Sequence, residues 1–382
     1  MFKPLFIVAC CLLLLVGSRD ALGEKTTNAK HVLVICIDDL NDWVGVLGGH
    51  PQASTPNIDR LAKHGVVFTN AHSQAGRCNP SRTSFLSGLQ PRSTGILDNS
   101  SAFTRQARSF AKSTLQLPQH FANHGFHTAG VGKIYHITFG PDNSQFFADG
   151  GPKLDYGYLK KGDRSIKFGA YPKQEDEYDD SKIADWVCDR IDHMKDSLKP
   201  TFIAAGFYRP HSPMFCPQRY IDAFPKESLQ LPVVIANVRD DWPKWAMQNT
   251  RVSGASKQFA KDDEYHRSMI AAYLACTSFV DAQIGRVLDR LDSSGMADST
   301  LVVLFSDHGF HLGEKGQWAK NTVWEEGTRV PLVIAGPGVP KDTRCNKPVG
   351  LIDVFPTLNE YFSLPKPDTL QGHSLMPLIR DA

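Results

Sequence analysis

Apolar residues fall in short unbroken runs rather than in strict alternation with polar ones. The runs at 31–37, 201–205, 301–305 and 331–334 have this form, and 127–131 is a weaker example. Such runs predict strands buried on both faces, as in a parallel sheet. Helical stripes lie between them. Thr55 is expected to cap a short helix that has Pro56 at its first turn and Gly65 at its end. Ile183, Trp186, Val187, Ile191 and Met194 mark one apolar stripe. A longer stripe uses Met269, Ala272, Tyr273, Cys276, Val280, Ile284, Val287, Leu288 and Leu291, closed by Gly295. Strands alternating with helices predict an α/β fold with a large, mostly parallel sheet sandwiched between helices. The acidic run at 175–180 is expected to be a solvated loop and helix start.

The N-terminus departs from this pattern. Lys3, an apolar run over 5–16 and Ala21-Leu22-Gly23 predict a secretory signal peptide at 1–23, leaving 24–382 as one folded unit. Twelve apolar residues are fewer than the roughly 20 that span a bilayer, and no other segment is long and apolar enough, so stable membrane insertion is not expected. The 382 residues carry 42 Lys plus Arg against 40 Asp plus Glu. That balance gives no global attraction to nucleic acid, and any anion site must be local. Export permits disulfides. Six cysteines follow the leader: Cys36 and Cys276 sit in apolar elements and read as core thiols, and pairing among the others stays open.

The residues after the predicted strands carry the chemistry. The first strand runs into Asp38-Asp39, the 127–131 run into Gly132-Lys133-Ile134-Tyr135-His136, the 201–205 run into Arg209-Pro210-His211, and the 301–305 run into Ser306-Asp307-His308. Ligands of open α/β sheets bind beyond the carboxyl ends of the strands, so four such endings predict a single site. Adjacent carboxylates repel unless a cation lies between them. Asp38, Asp39, Asp307 and His308 suit Ca²⁺ or Mg²⁺, with Mn²⁺ or Zn²⁺ left open by the imidazole.

The run from Cys78 to Gly88, Cys-Asn-Pro-Ser-Arg-Thr-Ser-Phe-Leu-Ser-Gly, resembles the signature of the type I (formylglycine-dependent) sulfatases of the alkaline-phosphatase-like superfamily. The strand endings above and Gly316-Gln317-Trp318-Ala319-Lys320 occur in that family's order, over about residues 30 to 380. His308, the Lys-Ile-Tyr-His run and Trp318-Ala319-Lys320 are most similar to the iduronate-2-sulfatase branch. The resemblance implies that Cys78 is oxidised to formylglycine by a formylglycine-generating enzyme during export. It implies a divalent metal, most simply Ca²⁺, held by Asp38, Asp39, residue 78, Asp307 and His308. It further implies that Arg82 holds the formylglycine, Lys133 and Lys320 clamp sulfate oxygens, His136 acts as base and His211 protonates the leaving alcohol. The substrate implied is a sulfated oligosaccharide or polysaccharide, a uronate 2-O-sulfate of glycosaminoglycan or algal type.

Other readings share these residues. A phosphonate or phosphodiester hydrolase would use the same fold, and an inactive sulfoglycan-binding protein would keep the cationic pocket without turnover. A single sequon, Asn99-Ser100-Ser101, favours a bacterial periplasmic or secreted protein over a lysosomal one. The family's smaller C-terminal antiparallel subdomain is expected to be absent, truncated or encoded separately here. That expectation predicts an uncovered apolar sheet face, with poor solubility or an added partner.

Overall fold

The computed structural model describes residues 29–136, 146–152, 154, 167–233, 237, 240–245 and 262–382. The leader expected at 1–23 lies outside these residues. Eight strands form the main sheet. In chain order they are β1 (His31–Ile37), β2 (Gly65–Phe68), β3 (His127–Gly132), β4 (Asp149–Gly150), β5 (Thr201–Phe207), β6 (Thr300–Ser306), β7 (Leu332–Ala335) and β8 (Thr343–Cys345). Their spatial order is β8-β2-β7-β6-β1-β5-β3-β4. The run from β6 to β4 is parallel, β7 is antiparallel to both neighbours, and β8 rejoins β2 in parallel. Every residue of β1, β5 and β6 is buried, as the unbroken apolar runs require.

The pleat of β1 divides the core. Val32, Val34 and Cys36 face one layer, built with α2 (Cys78–Ser87), α3 (Leu117–Asn123), α6 (Val354–Tyr361) and α7 (Met376–Arg380). Leu33, Ile35 and Ile37 face the other, built with α1 (Pro56–Lys63), α4 (Asp179–Met194) and the second half of α5 (Asp263–Ser293). Each fully buried aliphatic or aromatic side chain contributes about 1.5–3 kcal/mol. The first half of α5 packs in a third cluster with Trp43, Met214, Phe310 and Trp318, beneath the loops at the carboxyl edge.

Three expectations need correction. No uncovered apolar sheet face exists among the described residues: residues 351–380 supply Leu351, Phe355, Leu358 and Ile379 to the first layer, and the exposed large hydrophobics are scattered. Thr55 does not cap α1. Its hydroxyl accepts from Gly45 N at 2.8 Å, and Asp281 of α5 instead accepts from the backbone of Asn57 and Ile58 at 3.1 and 2.8 Å. The acidic run is not wholly solvated, since Asp179 and Asp180 open α4 as buried residues. All six cysteines of the described chain are free.

Candidate active site

The four adjacent strands β6, β1, β5 and β3 end level with one another. Ile37 pairs with both Phe207 and Ser306, and Gly132 pairs with Gly206. Their next residues therefore converge on one point of the sheet edge. Close approach there depends on two glycines. Gly132 has φ +74°, and a Cβ on it would lie 2.1 Å from Gly206 O. A Cβ on Gly206 would lie 2.3 Å from the Lys133 backbone. Their absence lets Lys133 turn inward beside β5.

After β1 the chain turns sharply at Asp39, whose φ is +65°. This conformation is costly for a non-glycine residue and needs outside support. Asp307 Oδ1 accepts from Asp39 N at 3.2 Å, and Tyr273 OH donates to Asp39 O at 2.7 Å. Both Asp38 and Asp39 are buried.

Helix α2 brings Cys78 to the same point from the first layer. All ten of its residues are buried, and Phe85 packs edge-on to Phe305 of β6 with ring centres 5.0 Å apart. Arg82 lies one turn from Cys78. Its Nε donates to Asp307 Oδ2 at 2.8 Å, and its Nη2 donates to Asp38 Oδ1 at 3.1 Å. Its Nη1 donates to the carbonyls of Lys133 and Ile134. The guanidinium thus ties three strand endings to the helix that carries Cys78.

Cations surround the thiol. Lys320 Nζ lies 3.0 Å from Cys78 Sγ and 2.6 Å from Asp39 Oδ1. Lys133 Nζ lies 3.8 Å from the sulfur and pairs with Asp38 Oδ2. His308 Nε2 lies 3.2 Å from the sulfur, and His136 interacts with it electrostatically. Burial alone would raise the Cys78 thiol, but Lys133, Lys320 and His308 outweigh it and hold the group well below the ordinary value. Cys36, equally buried, is pushed up to about 12 by burial and stays an inert core thiol. Burial also opposes ionisation of Asp38, yet Lys133, His211 and Arg82 bring its carboxyl well below the carboxylate range. Burial lowers His136, so it is neutral near pH 7. Burial would lower His308 too, but the charges of Asp307 and Cys78 raise it.

His211 stands at the mouth. Its Nε2 is 3.9 Å from Asp38 Oδ2 and 3.8 Å from Asp39 Oδ2. Its side chain is 19% exposed and that of Lys320 is 14% exposed, whereas Asp38 and Arg82 are sealed, so the opening lies on the His211–Lys320 side.

The structure brings together ten residues singled out by the sequence: Asp38, Asp39, Cys78, Arg82, Lys133, His136, His211, Asp307, His308 and Lys320. Four of the five expected metal-site residues, Asp38, Asp39, Cys78 and His308, offer donor atoms that all lie within 4.8 Å of one another. Asp307 stands outside this group. Its Oδ2 takes Arg82 and its Oδ1 takes the backbone N–H groups of Asp39 and His308, although Oδ2 remains 3.4 Å from His308 Nε2. The donor set fits a dication, because ammonium groups of Lys133 and Lys320 already stand against the two carboxylates it would use.

Sequence reasoning missed three supports. Tyr273 fixes the turn at Asp39 and was visible only as a core position. Asn99 Oδ1 accepts from Asn79 N at 2.9 Å at the start of α2. Asp180 accepts from Tyr208 N at 2.6 Å in the loop leading to His211. Its signal was legible, since 180 continues the buried 183–187–191 stripe at helical spacing.

Comparison with known proteins gives the family and the fold. The Sulfatase family model matches residues 30–364. A sulfatase of Formosa agariphila is 34% identical over 98% of this chain and 77% of its own length. Iduronate 2-sulfatase of Homo sapiens is 30% identical over 84% of this chain and 62% of its own length, so the chain spans about three fifths of that relative. In fold, a phosphonate monoester hydrolase from Silicibacter pomeroyi superposes with a TM-score of 0.75 at 22% identity, covering 92% of this chain and 76% of the other.

Proposed function

The chain belongs to the sulfatase family, and from that premise we propose that it hydrolyses sulfate monoesters on a sulfated carbohydrate, using a formylglycine made from Cys78. Iduronate 2-sulfatases at 30% identity support a uronate 2-O-sulfate as the substrate class. The observation that carries the reading is the setting of Cys78: sealed, at a helix N-terminus, with Lys133, Lys320, His136 and His308 around its sulfur. A core thiol has no need of that surrounding charge.

Asp38, Asp39, residue 78 and His308 would hold a divalent cation, with Asp307 behind them. The oxygen-rich set suits Ca²⁺, with Mg²⁺ or Mn²⁺ as alternatives. Such an ion supplies Lewis-acid polarisation of the sulfate oxygens. Formylglycine at 78 supplies, once hydrated, a hydroxyl nucleophile in place of the thiol.

The remaining groups act as follows. Lys133 and Lys320 bind sulfate oxygens, where charge grows as the ester bond breaks. Arg82 keeps Asp38 and Asp307 ionised and aligned. His136, neutral through burial, accepts a proton from the group at 78. His211 faces the opening and donates a proton to the departing alcohol, which is needed because a sugar alkoxide is a poor leaving group.

Maturation would require export and a formylglycine-generating enzyme, with the signal at 1–23 directing the chain to the periplasm or outside. No helix among the described residues is long and apolar enough to cross a membrane. The test has two arms. Peptide mass spectrometry across Cys78 of exported protein should find the aldehyde. Desulfation of defined sulfated oligosaccharides, followed by product mass and NMR position, should find loss of a uronate 2-O-sulfate. Full activity with an unmodified thiol would overturn the mechanism, and faster turnover of phosphodiesters than of sulfate esters would overturn the reaction.

A further inference from the structure

The loop that presents His211 is held from below by a carboxylate that takes no part in the chemistry above. β5 ends at Phe207, and the next two backbone N–H groups point at Asp180. Tyr208 N donates to its Oδ1 at 2.6 Å and Arg209 N at 3.5 Å. Asp180 is 1% exposed and Arg209 is 2% exposed, so an anion and a cation are both buried at this turn.

Arg209 extends the hold along the loop. Its Nε donates to Phe215 O at 2.8 Å and its Nη1 donates to His211 O at 3.3 Å. His211 N in turn donates to Tyr208 O at 2.9 Å. The segment between residues 208 and 215 is thereby pinned at both ends and in the middle. His211 Nδ1 lies 2.5 Å from Ser212 O, a contact in which only the nitrogen can donate. That contact commits Nδ1 and leaves Nε2 to carry the transferable proton toward the carboxylates of Asp38 and Asp39.

We propose that Asp180 is a positioning residue for proton donation: with Arg209 it clamps the 208–215 loop and sets where the His211 imidazole stands over the leaving alcohol. This rests on the reading of His211 as the proton donor. The anchor is rigid because α4 packs on the sheet through Ile183, Ala184, Val187 and Ile191. A carboxylate suits the task better than an amide. It accepts from two backbone N–H groups and its charge offsets that of Arg209 through space, while the guanidinium itself is held by the carbonyls of Phe215 and His211.

Leaving-group dependence separates positioning from mere stability. A misplaced proton donor harms esters of poor leaving groups, while 4-nitrophenol departs without help. The matured full-length enzyme and its Asp180→Asn and Arg209→Lys variants would be assayed on a sugar or alkyl sulfate and on 4-nitrophenyl sulfate. The expected result is a fall in kcat on the sugar or alkyl sulfate by about 10²-fold, with KM and 4-nitrophenyl sulfate turnover nearly unchanged. His211→Ala should show the same selectivity, and adding Asp180→Asn to it should cost nothing further. Equal losses on both substrates, or no loss, would overturn the clamp. Arg209→Lys probes the same loop from its other anchor if Asp180→Asn does not fold. If His211→Ala shows no leaving-group preference, the proton-donor reading fails, and the clamp fails with it.

Discussion

Arg82 allows the coupling of site and fold to be measured. It is 1% exposed and lies between Asp307 and Asp38, with two further bonds to the carbonyls of Lys133 and Ile134. Replacing it by Met keeps the length and the apolar stem but removes the fork. Breaking a buried ion pair by deleting one partner costs about 3–5 kcal/mol. The lower end applies here, because Asp38 keeps Lys133 and Asp307 keeps the backbone donors of Asp39 and His308. With about 2.1 cal/mol/K of unfolding entropy per residue, or roughly 0.8 kcal/mol/K for the chain, about 3 kcal/mol lowers Tm by about 4 °C. Thermal unfolding of metal-free Arg82→Met against the parent would read this shift. Arg82→Lys should fall between them, since an ammonium keeps the charge but cannot serve Asp307, Asp38 and two carbonyls together. A shift below about 1 °C for Arg82→Met would refute the reasoning, because it would mean that the carboxylates do not depend on the guanidinium.

Other expectations follow from the same contacts. Ca²⁺ or Mg²⁺ added to chelator-treated protein should raise Tm, by the equivalent of about 2.7 kcal/mol at a hundred times Kd, and Asp39→Asn should abolish the rise; an unchanged Tm in the parent would count against the cation. Burial lifts Asp281 from 3.8 to about 6, so the folded state binds its proton more tightly than the unfolded chain. Its contribution is therefore fully present below about pH 4 and lost as pH rises through 6, by about 3 kcal/mol at most. The denaturation midpoint of the parent should fall relative to Asp281→Asn across that window, and parallel profiles would contradict it. Asn99, turned inward to cap α2, should stay unglycosylated in a glycosylating host despite its sequon, and Asn99→Ala should cost about 1 kcal/mol. A glycan found on Asn99 by mass spectrometry would show that the cap does not hold.

What could be read from the chain and what could not differ in physical kind. Seven of the ten site residues were legible because they follow the ends of apolar runs, Cys78 and Arg82 because they lie on the first two turns of one helix, and Lys320 only through the Gly316–Lys320 run. The parallel sheet then brings such endings together whatever lies between them. The sheet itself was legible in β1, β5 and β6, whose unbroken apolar sequences have few alternatives. The short β2 was hidden because Gly65 reads equally as a helix stop, and its pairing with β7 and β8 makes it a strand. Supports of the site were hidden for another reason. Asp281 caps a helix 223 residues away in sequence, and Tyr273 holds a turn 234 residues away. Local sequence contains no trace of such partners.

Asp180 marks the boundary between the two cases. Its neighbours Glu175, Asp176 and Glu177 are not buried, and composition alone assigns the whole run to solvent. Helical spacing from Ile183 and Val187 places Asp180 on the buried stripe instead. A carboxylate in a buried stripe must have a partner, because an unpaired charge there costs several kcal/mol. The partner had to be a cation or exposed backbone donors, and the sheet edge supplies both at Tyr208 and Arg209. Periodicity outranks composition wherever the two conflict, and a charge that periodicity buries points to a partner in the fold.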